Sequence, residues 1–402
     1  MERLVSLLGL VVILSLAWLL SENRRRISAR LVVSGLALQL ALALLFLRTP
    51  AGEWAFAGFR AMVSRLLSFS DAGARFFFGE AFLEKNMFFS VMPTIIFVAS
   101  ATAVLFHLGV IQWVVRGMAR AMQWVMDTSG TESLAAAAEV FVGMTESPLV
   151  IRPYLDTMTR SEIVAMMTAG MGTVAGGVMA AYVQMGVDAG HLMAASLMAA
   201  PASLVIAKIM VPETEESPTK GRVRIEIPRP DVNVFDAACR GAAEGLRLAL
   251  NVGAMLIAFV ALVACVNWLL SLCGLVGGEP LSLERILGWL FRPLAWTMGV
   301  AWEDTQTVGM LLGKKTVLNE YLAYQDLVAL RGGDTALAPR SELIATYALC
   351  GFANFGSIAV QIGGVSGLAP SRRALFAKYG LRAMIGGALA TFLTATIAGL
   401  LL

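Results

Sequence analysis

Apolar runs of about 17 to 25 residues, long enough to cross a ~30 Å hydrocarbon core as helices, recur along this chain at 5–20, 31–47, 88–107, 163–185, 192–210, 246–270, 343–362 and 381–402. The runs are continuously apolar, whereas strands of a membrane barrel would alternate in segments of about ten residues. The expected class is therefore an all-α polytopic membrane protein with about eight transmembrane helices. Composition agrees: 58% of the 402 residues are hydrophobic and 15% charged, with a mean hydropathy of +0.74, more than a water-soluble core requires. The net charge of +3 comes without a basic stripe, which argues for a lipid bilayer and against nucleic acid as the partner.

Charge sets the expected orientation. Only Glu2 and Arg3 precede the first run and an Arg-rich turn follows it, the reverse of a secretory signal, so this run reads as a retained span. Keeping Arg24, Arg25, Arg26 and Arg30 in the cytoplasm places the N-terminus outside. Alternation then puts Arg116 and Arg120, the group Lys208, Lys220, Arg222, Arg224 and Arg229, and the group Arg372, Arg373, Lys378 and Arg382 on the inside. Lys314, Lys315, Arg331 and Arg340 fall outside and run against the rule. With eight crossings the C-terminus also lies outside.

Chemistry-bearing motifs of enzymes are missing. There is no GxSxG, HExxH or phosphate-binding loop, and Cys239, Cys265, Cys273, Cys350, His107 and His191 lack metal-ligand spacing. The 21 Met residues read as adaptable helix packing.

A polar stretch at 212–231 reads as a cytoplasmic linker dividing the chain in two. On either side the same phrase occurs: Arg160-Ser161-Glu162-Ile163 followed by Gly170-Met171-Gly172-Thr173-Val174-Ala175-Gly176-Gly177, and Arg340-Ser341-Glu342-Leu343 followed by Gly351-Phe352-Ala353-Asn354-Phe355-Gly356-Ser357. Ahead of each lies a stretch carrying a glutamate at apparent membrane depth, Glu146 and Glu320. Residues 130–158, with Gly143 and Pro148, are too irregular for a clean crossing and read as a re-entrant hairpin. Residues 302–327 read likewise, with Gly309 and Gly313 at the turn. Irregular backbone at this depth is tolerated where it lines a cavity. Segments 56–78 and 111–126 mix apolar and charged residues at helical spacing and are expected to lie along the interface. Topology makes the two hairpin-plus-broken-helix units inverted, the pattern of secondary transporters with a site near the midplane. Two intramembrane carboxylates, at about 2.5–3.5 kcal/mol each on insertion scales, imply partners or a cavity.

After residue 88 the chain resembles the concentrative nucleoside transporter family. PTIIF, FHLGVIQWVV, TSGTESLAAAAEVFVGMTESPLVIRPYL, GTVAGGVMAAY, LNEYLAY and CGFANFGSIAVQIGG followed by SGLAPSRR are similar to that family's motifs, in order. The resemblance implies a homotrimer of the bacterial type whose scaffold holds transport domains that move as elevators. It implies that the base of a nucleoside is held by Gly143, Met144, Thr145, Glu146 and Val178, and the ribose mainly by Glu320, Phe352, Asn354 and Ser357. The chemistry suits this division. A carboxylate can accept from vicinal hydroxyls, and Asn and Ser add donors and acceptors. Phe352 offers either a stacking surface or plain packing.

Two departures from the family pattern matter. Met144 stands where a glutamine is usual, which removes an amide able to pair with a pyrimidine edge and points to purine nucleosides. At the positions matching the family's cation site stand Glu139, Val142, Thr173 and Val174, with Glu139 in place of an asparagine. A carboxylate there can ligate sodium or carry a coupling proton, and both remain open.

The expected division is 1–128 for N-terminal spans and interfacial helices, mainly scaffold; 129–211 for the first hairpin, broken helix and following span; 212–231 for the linker; 232–297 for an interfacial helix and a scaffold span; and 298–402 for the second hairpin, broken helix and last span. Cation-coupled nucleoside import across a bacterial inner membrane, with no permanently bound cofactor, is the leading expectation. An uncoupled facilitator or a nucleoside-binding membrane sensor are the rivals.

Overall fold

In a computed structural model the chain is described at residues 2–79, 87–221, 231–272, 274–276, 278–333 and 336–402. Three of the basic residues expected inside, Arg222, Arg224 and Arg229, lie outside the described residues, as does Cys273. The helices up to the first hairpin are α1 Glu2–Leu19, α2 Ala29–Arg48, α3 Pro50–Phe78, α4 Met87–His107 and α5 Val110–Met126. The first hairpin and broken helix comprise α6 Gly130–Glu139, α7 Ser147–Val150, α8 Arg160–Gly172 and α9 Gly176–Gln184. Then come α10 Ala189–Met210, α11 Val234–Ser271 and α12 Leu283–Thr297. The second unit comprises α13 Thr305–Val317, α14 Glu320–Ala329, α15 Pro339–Leu349 and α16 Phe355–Ser366, and α17 Arg373–Leu401 ends the chain.

Among the described residues, five helices, or helix pairs that continue one another, are long and apolar enough to cross a membrane: Ala29–Arg48, Arg160–Gln184, Ala189–Met210, Val234–Ser271 and Pro370–Leu401. The expected run at 88–107 continues into α5 after a 75° bend, and the runs at 5–20 and 343–362 correspond to shorter apolar helices, Arg3–Leu19 and Phe355–Ser366. The fold is mostly helical; the one ribbon among the described residues pairs Leu275–Val276 with Glu279–Pro280, with positive φ at Gly274 and Gly278.

Burial divides the spans. In Ala189–Met210, 89% of the apolar stretch is buried, against 6% in Val234–Ser271, so α10 is core while α11 presents its apolar side chains outward, as a lipid-facing or partner-facing helix would. Around α10 pack α8, α17 and α2, while α11 lies along α4 and α12 along α13. The contacts inside the core are set by small residues, as expected where helix association depends on close packing. A β-carbon at Gly387 of α17 would stand 2.7 Å from Met171 Cβ and 3.1 Å from the Gly172 backbone nitrogen. One at Gly351, where φ is +152°, would stand 2.9 Å from the carbonyl oxygen of Gly172.

Helix starts follow local chemistry. Ser129 and Glu132 form a capping box at α6, and Thr159 and Glu162 form one at α8. Each copy of the repeated Arg-Ser-Glu phrase ties a helix start to neighbouring backbone: the Ser161 hydroxyl donates to the Val211 carbonyl at 2.6 Å, and the Ser341 hydroxyl accepts from the Ala301 N–H at 3.2 Å.

One sequence expectation needs correction. The turn of the second hairpin lies at 318–319, where Asn319 caps α14, and not at Gly309 and Gly313. Those glycines sit inside α13 and face α12, where a β-carbon would meet the Gly288 carbonyl oxygen at 2.6 Å and Leu287 Cβ at 2.3 Å, respectively. Close helix approach, not a bend, is what requires them. The described part of the polar linker, 212–221, folds onto the starts of α6 and α8. Thr219 is buried, its carbonyl accepts from the Gly130 N–H at 3.2 Å, and its hydroxyl bonds Thr131 at 2.9 Å.

At the start of α10, Asp188 accepts from the His191 N–H at 3.0 Å and pairs with Arg60 of α3 at 2.7 Å. Partial burial raises its pKa, but the His191 N–H and Arg60 outweigh burial and hold the carboxyl below its ordinary value. A depressed folded pKa means the stabilisation is complete above the unfolded value of about 4 and is lost as pH falls through the folded one. Melting curves of Asp188→Asn in detergent should therefore show lower stability at pH 7 and a shallower decline from pH 5 to 3 than the parent. Equal slopes would show that the pair contributes nothing.

Candidate functional site

The first hairpin ends α6 at Glu139 and resumes helix at Ser147, and its tip leans on the break between α8 and α9. Gly143 takes φ +86°, and a β-carbon there would stand 2.7 Å from Ala175 Cβ. The Gly176 N–H donates to the Phe141 carbonyl at 3.2 Å. A positive φ and that approach both require glycine at 143. The tip and the break thus form one wall.

In front of that wall is a cavity of about 380 Å³, lined on one side by Phe141, Val142, Glu146, Ala175, Gly177 and Val178. Across it stand Ala99, Thr102, Ala103 and Phe106 of α4 and Arg240, Glu244 and Leu248 of α11. Its volume lies within the ~300–1,000 Å³ range of small-molecule sites. Of the residues expected to hold a base, Glu146 and Val178 line this cavity, joined by Val142, which was expected at the cation site. Gly143, Met144 and Thr145 are not part of its lining. Thr145 is exposed and lies against α16, with its Cα 3.8 Å from where a β-carbon of Gly364 would be. Met144 Cβ stands 2.8 Å from the same point at Gly170.

The second half of the expected site is a connected polar group. Asn354 caps α16, its Oδ1 accepting from the Ser357 N–H at 2.8 Å, and its Nδ2 donates to Glu320 at 3.0 Å. Glu320 opens α14 and is buried, and it also accepts from the Tyr182 hydroxyl at 2.8 Å. Glu320, Asn354 and Ser357 are thus brought together, while Phe352 is half-buried beside them in the break between α15 and α16. Tyr182 comes from α9, so it ties the first unit to the second. Sequence reasoning gave it no role, although it closes the GTVAGGVMAAY motif.

Behind Glu320, Lys315 is fully buried and donates to the Ala348 carbonyl at 2.8 Å and to the Thr391 hydroxyl at 3.1 Å. A cation on the last carbonyls of α15 complements the negative end of that helix. Glu320 and Lys315 are thus both buried and both hydrogen-bonded, as buried ionisable side chains require.

The expected cation ligands are less unified. Glu139 is fully buried and accepts from the Ser147 hydroxyl. Thr173 donates its hydroxyl to the Ala169 carbonyl at 2.8 Å, and the Val174 N–H donates to Ser196 at 3.3 Å. Among the described residues no hydrogen bond links Glu139 with Thr173 or Val174.

Three family models match the chain: the N-terminus of the Na+ dependent nucleoside transporters over residues 8–81, a nucleoside recognition model, Gate, over 88–189, and the C-terminus of the Na+ dependent nucleoside transporters over 191–399. The chain is 44% identical to an uncharacterized transporter of Haemophilus influenzae, over 100% of this chain and 98% of the relative. It is 43% identical to sodium/nucleoside cotransporter 1 of Rattus norvegicus, over 100% of this chain and 64% of that longer protein. Its fold matches CNTnw in an inward-facing substrate-bound state with a TM-score of 0.94 at 41% identity, covering 100% and 98% of the two chains. A doubly substituted CNTnw in an outward-facing state matches equally, at 0.94 and 41%, covering 100% and 99%.

Proposed function

The chain belongs to the Na+-dependent nucleoside transporter family, and on that premise we propose that it imports nucleosides, purine nucleosides in preference, together with a coupling cation across a bacterial inner membrane. It is an integral membrane transporter and not an enzyme. The observation that carries the substrate reading is the pairing of hairpin with broken helix. Glu146 and Val178 share the cavity at the first pair, and Glu320 is bonded to Asn354 at the second. In this reading Gly143, Met144, Thr145, Glu146 and Val178 meet the base, and Glu320, Phe352, Asn354 and Ser357 meet the ribose.

The transport domains comprise 129–211 and 298–402, the scaffold 1–128 and 232–297, and 212–231 is a cytoplasmic linker, with both termini outside. About eight spans and two re-entrant hairpins form inverted units, and three copies assemble, each transport domain moving as an elevator. That CNTnw adopts inward- and outward-facing states supports alternating access. The outward apolar side chains of α11 give a surface for a second copy or for lipid.

Sodium is the coupling ion this family membership favours. A second reading, proton coupling, is favoured by one observation: Glu139 is a buried carboxylate. Uptake of radiolabelled adenosine and uridine into proteoliposomes, under an inward sodium gradient, an inward proton gradient or neither, tests both. Accumulation driven by a gradient supports active transport and identifies the ion. Equilibration that ignores both gradients would make the protein a facilitator.

Met144 carries the purine preference, since a thioether cannot pair with a pyrimidine edge as an amide can. Met144→Gln should raise uridine uptake relative to adenosine by about tenfold, the worth of one good hydrogen bond. A variant whose uridine-to-adenosine ratio equals the parent's would remove Met144 from the specificity site.

A further inference from the structure

The two sides of α5 differ in chemistry. Ile111, Val115, Ala119, Met122 and Met126 are buried, on the side that packs against α2, α4 and α6. On the other side Trp113 and Trp124 are 78% and 83% exposed, and Arg116 and Arg120 stand exposed between them. At about 100° per residue these four positions fall within roughly 80° of arc, a single stripe along the helix. Neither arginine has a hydrogen bond or an ion pair among the described residues, and α5 contains no acidic residue. A β-carbon at Gly117, between them, would meet nothing within 4 Å.

The place of α5 in the molecule indicates what meets this stripe. The chain turns by 75° out of apolar α4, with φ of +88° at Gly109, and α5 stops at Asp127. Its last turn lies where spans give way to polar chain. Lys220 of the linker pairs with Asp127 at 3.7 Å, and Met126 lies beside Gly35 near the start of α2. The Arg-rich turn at 24–26 is at the same end: the Glu22 N–H donates to the carbonyl of Met210, the last residue of α10, at 2.9 Å. This is headgroup depth, where tryptophan is enriched and basic residues gather on one side of the membrane. Two indoles left this exposed are costly in water and favoured at a bilayer interface.

We propose that this stripe docks the headgroup of an anionic phospholipid, Arg116 and Arg120 donating to its phosphate while Trp113 and Trp124 sit in the interface on either side. The proposal goes beyond nucleoside transport and rests only on the chain's being an integral membrane protein. Arginine presents a fork of N–H donors matched to phosphate oxygens, and residues four apart on a helix are neighbours, so both can reach one headgroup. A zwitterionic lipid offers the same phosphate but brings an ammonium group that two unpaired guanidinium groups repel. An anionic lipid brings no such cation, and the charges of the stripe select it. The buried side of α5 lies on α6, the first helix of the first hairpin. A docked lipid therefore braces that helix, and its binding stabilises the folded protein.

The experiment is thermal unfolding of the purified full-length protein in detergent, titrated with phosphatidylglycerol or, in parallel, with phosphatidylcholine of the same acyl chains. The parent should be stabilised saturably, with half-saturation by phosphatidylglycerol at a mole fraction about 25-fold lower than by phosphatidylcholine, about fivefold for each arginine. Arg116→Gln and Arg120→Gln should each weaken the phosphatidylglycerol response by about fivefold, and together should abolish the preference, leaving the phosphatidylcholine titration where it was. Replacing both by lysine keeps the charge and should keep most of the preference. A parent that responds alike to the two lipids overturns the proposal, as does a double glutamine variant that titrates like the parent. Should the double variant not fold, the two single variants decide in the same way. Equal stabilisation by glycerol 3-phosphate at the same phosphate concentration would make the stripe a site for a free anion and overturn the lipid. Loss of the preference in Arg25→Gln with Arg26→Gln, while the α5 double variant keeps it, would place the lipid at the turn before α2 and overturn the assignment to α5.

Discussion

Glu320→Ala should lower the kcat/KM of adenosine uptake by about 100-fold or more, because the substitution removes the acceptor proposed for two ribose hydroxyls, each charge-assisted hydrogen bond being worth about 1.5–3 kcal/mol. It also strands the Tyr182 hydroxyl and the Asn354 amide, both of which now donate to this carboxylate. Glu320→Gln separates the two effects, since a carboxamide keeps one acceptor for those donors and loses the charge. The discriminating substrate is 2′,3′-dideoxyadenosine. The parent should transport it far less well than adenosine, and the Glu320→Ala variant should handle the two alike. If the variant keeps the parent's discrimination between them, Glu320 does not hold the ribose, however large the loss in rate. Size-exclusion profiles in detergent, unchanged from the parent, are the check on folding.

The largest expected effect on stability lies at the other end of the transport helices. Lys208, near the end of α10, pairs with Glu132 of the first hairpin at 2.6 Å, with side-chain exposures of 7% and 3%, and donates to the Ser161 hydroxyl at 2.9 Å. Glu213 of the linker also reaches it at 3.4 Å. Removing one partner of a buried pair leaves the other charge uncompensated, at a cost of about 3–5 kcal/mol. Lys208→Met should therefore lower the melting temperature in detergent markedly. Adding Glu132→Gln should restore much of the loss, because the glutamine can still accept from the Ser129 N–H while carrying no charge. If the double variant is less stable than Lys208→Met, the cost is lost packing and not an unpaired charge.

Periodicity and glycine spacing made the broken helices legible before any coordinates. The runs Gly170–Gly177 and Gly351–Ser357 fall at the two breaks, and the repeated Arg-Ser-Glu phrase falls at the starts of α8 and α15. The first hairpin was legible because Gly143 and Pro148 interrupt its apolar pattern. The stretch read as the second hairpin holds two helices, but its turn was misplaced, since glycine serves both bends and close approach, and only the position of α12 shows which applies at Gly309 and Gly313. Tyr182 was not legible as the partner of Glu320 at all. It acts across the two units, on a residue 138 positions away along the chain, and spacing within one segment carries no trace of such a pair. The inward fold of the linker was hidden for a related reason: Ser, Thr and Glu read as solvated when their partners are buried hydroxyls and capping carboxylates elsewhere.

The meeting of Gly351 and Gly387 with the backbone around Gly172 has an evolutionary consequence. The nearest obstacles to any larger residue at 351 or 387 include main-chain atoms of another helix, which cannot rotate aside as a side chain can. No single neighbouring substitution opens the space, so drift at either position is blocked from both sides at once. If the two units descend from one ancestral half-length gene, this joint is where the copies lost the freedom to diverge separately. Residues free to differ between the copies should then become more numerous with distance from it.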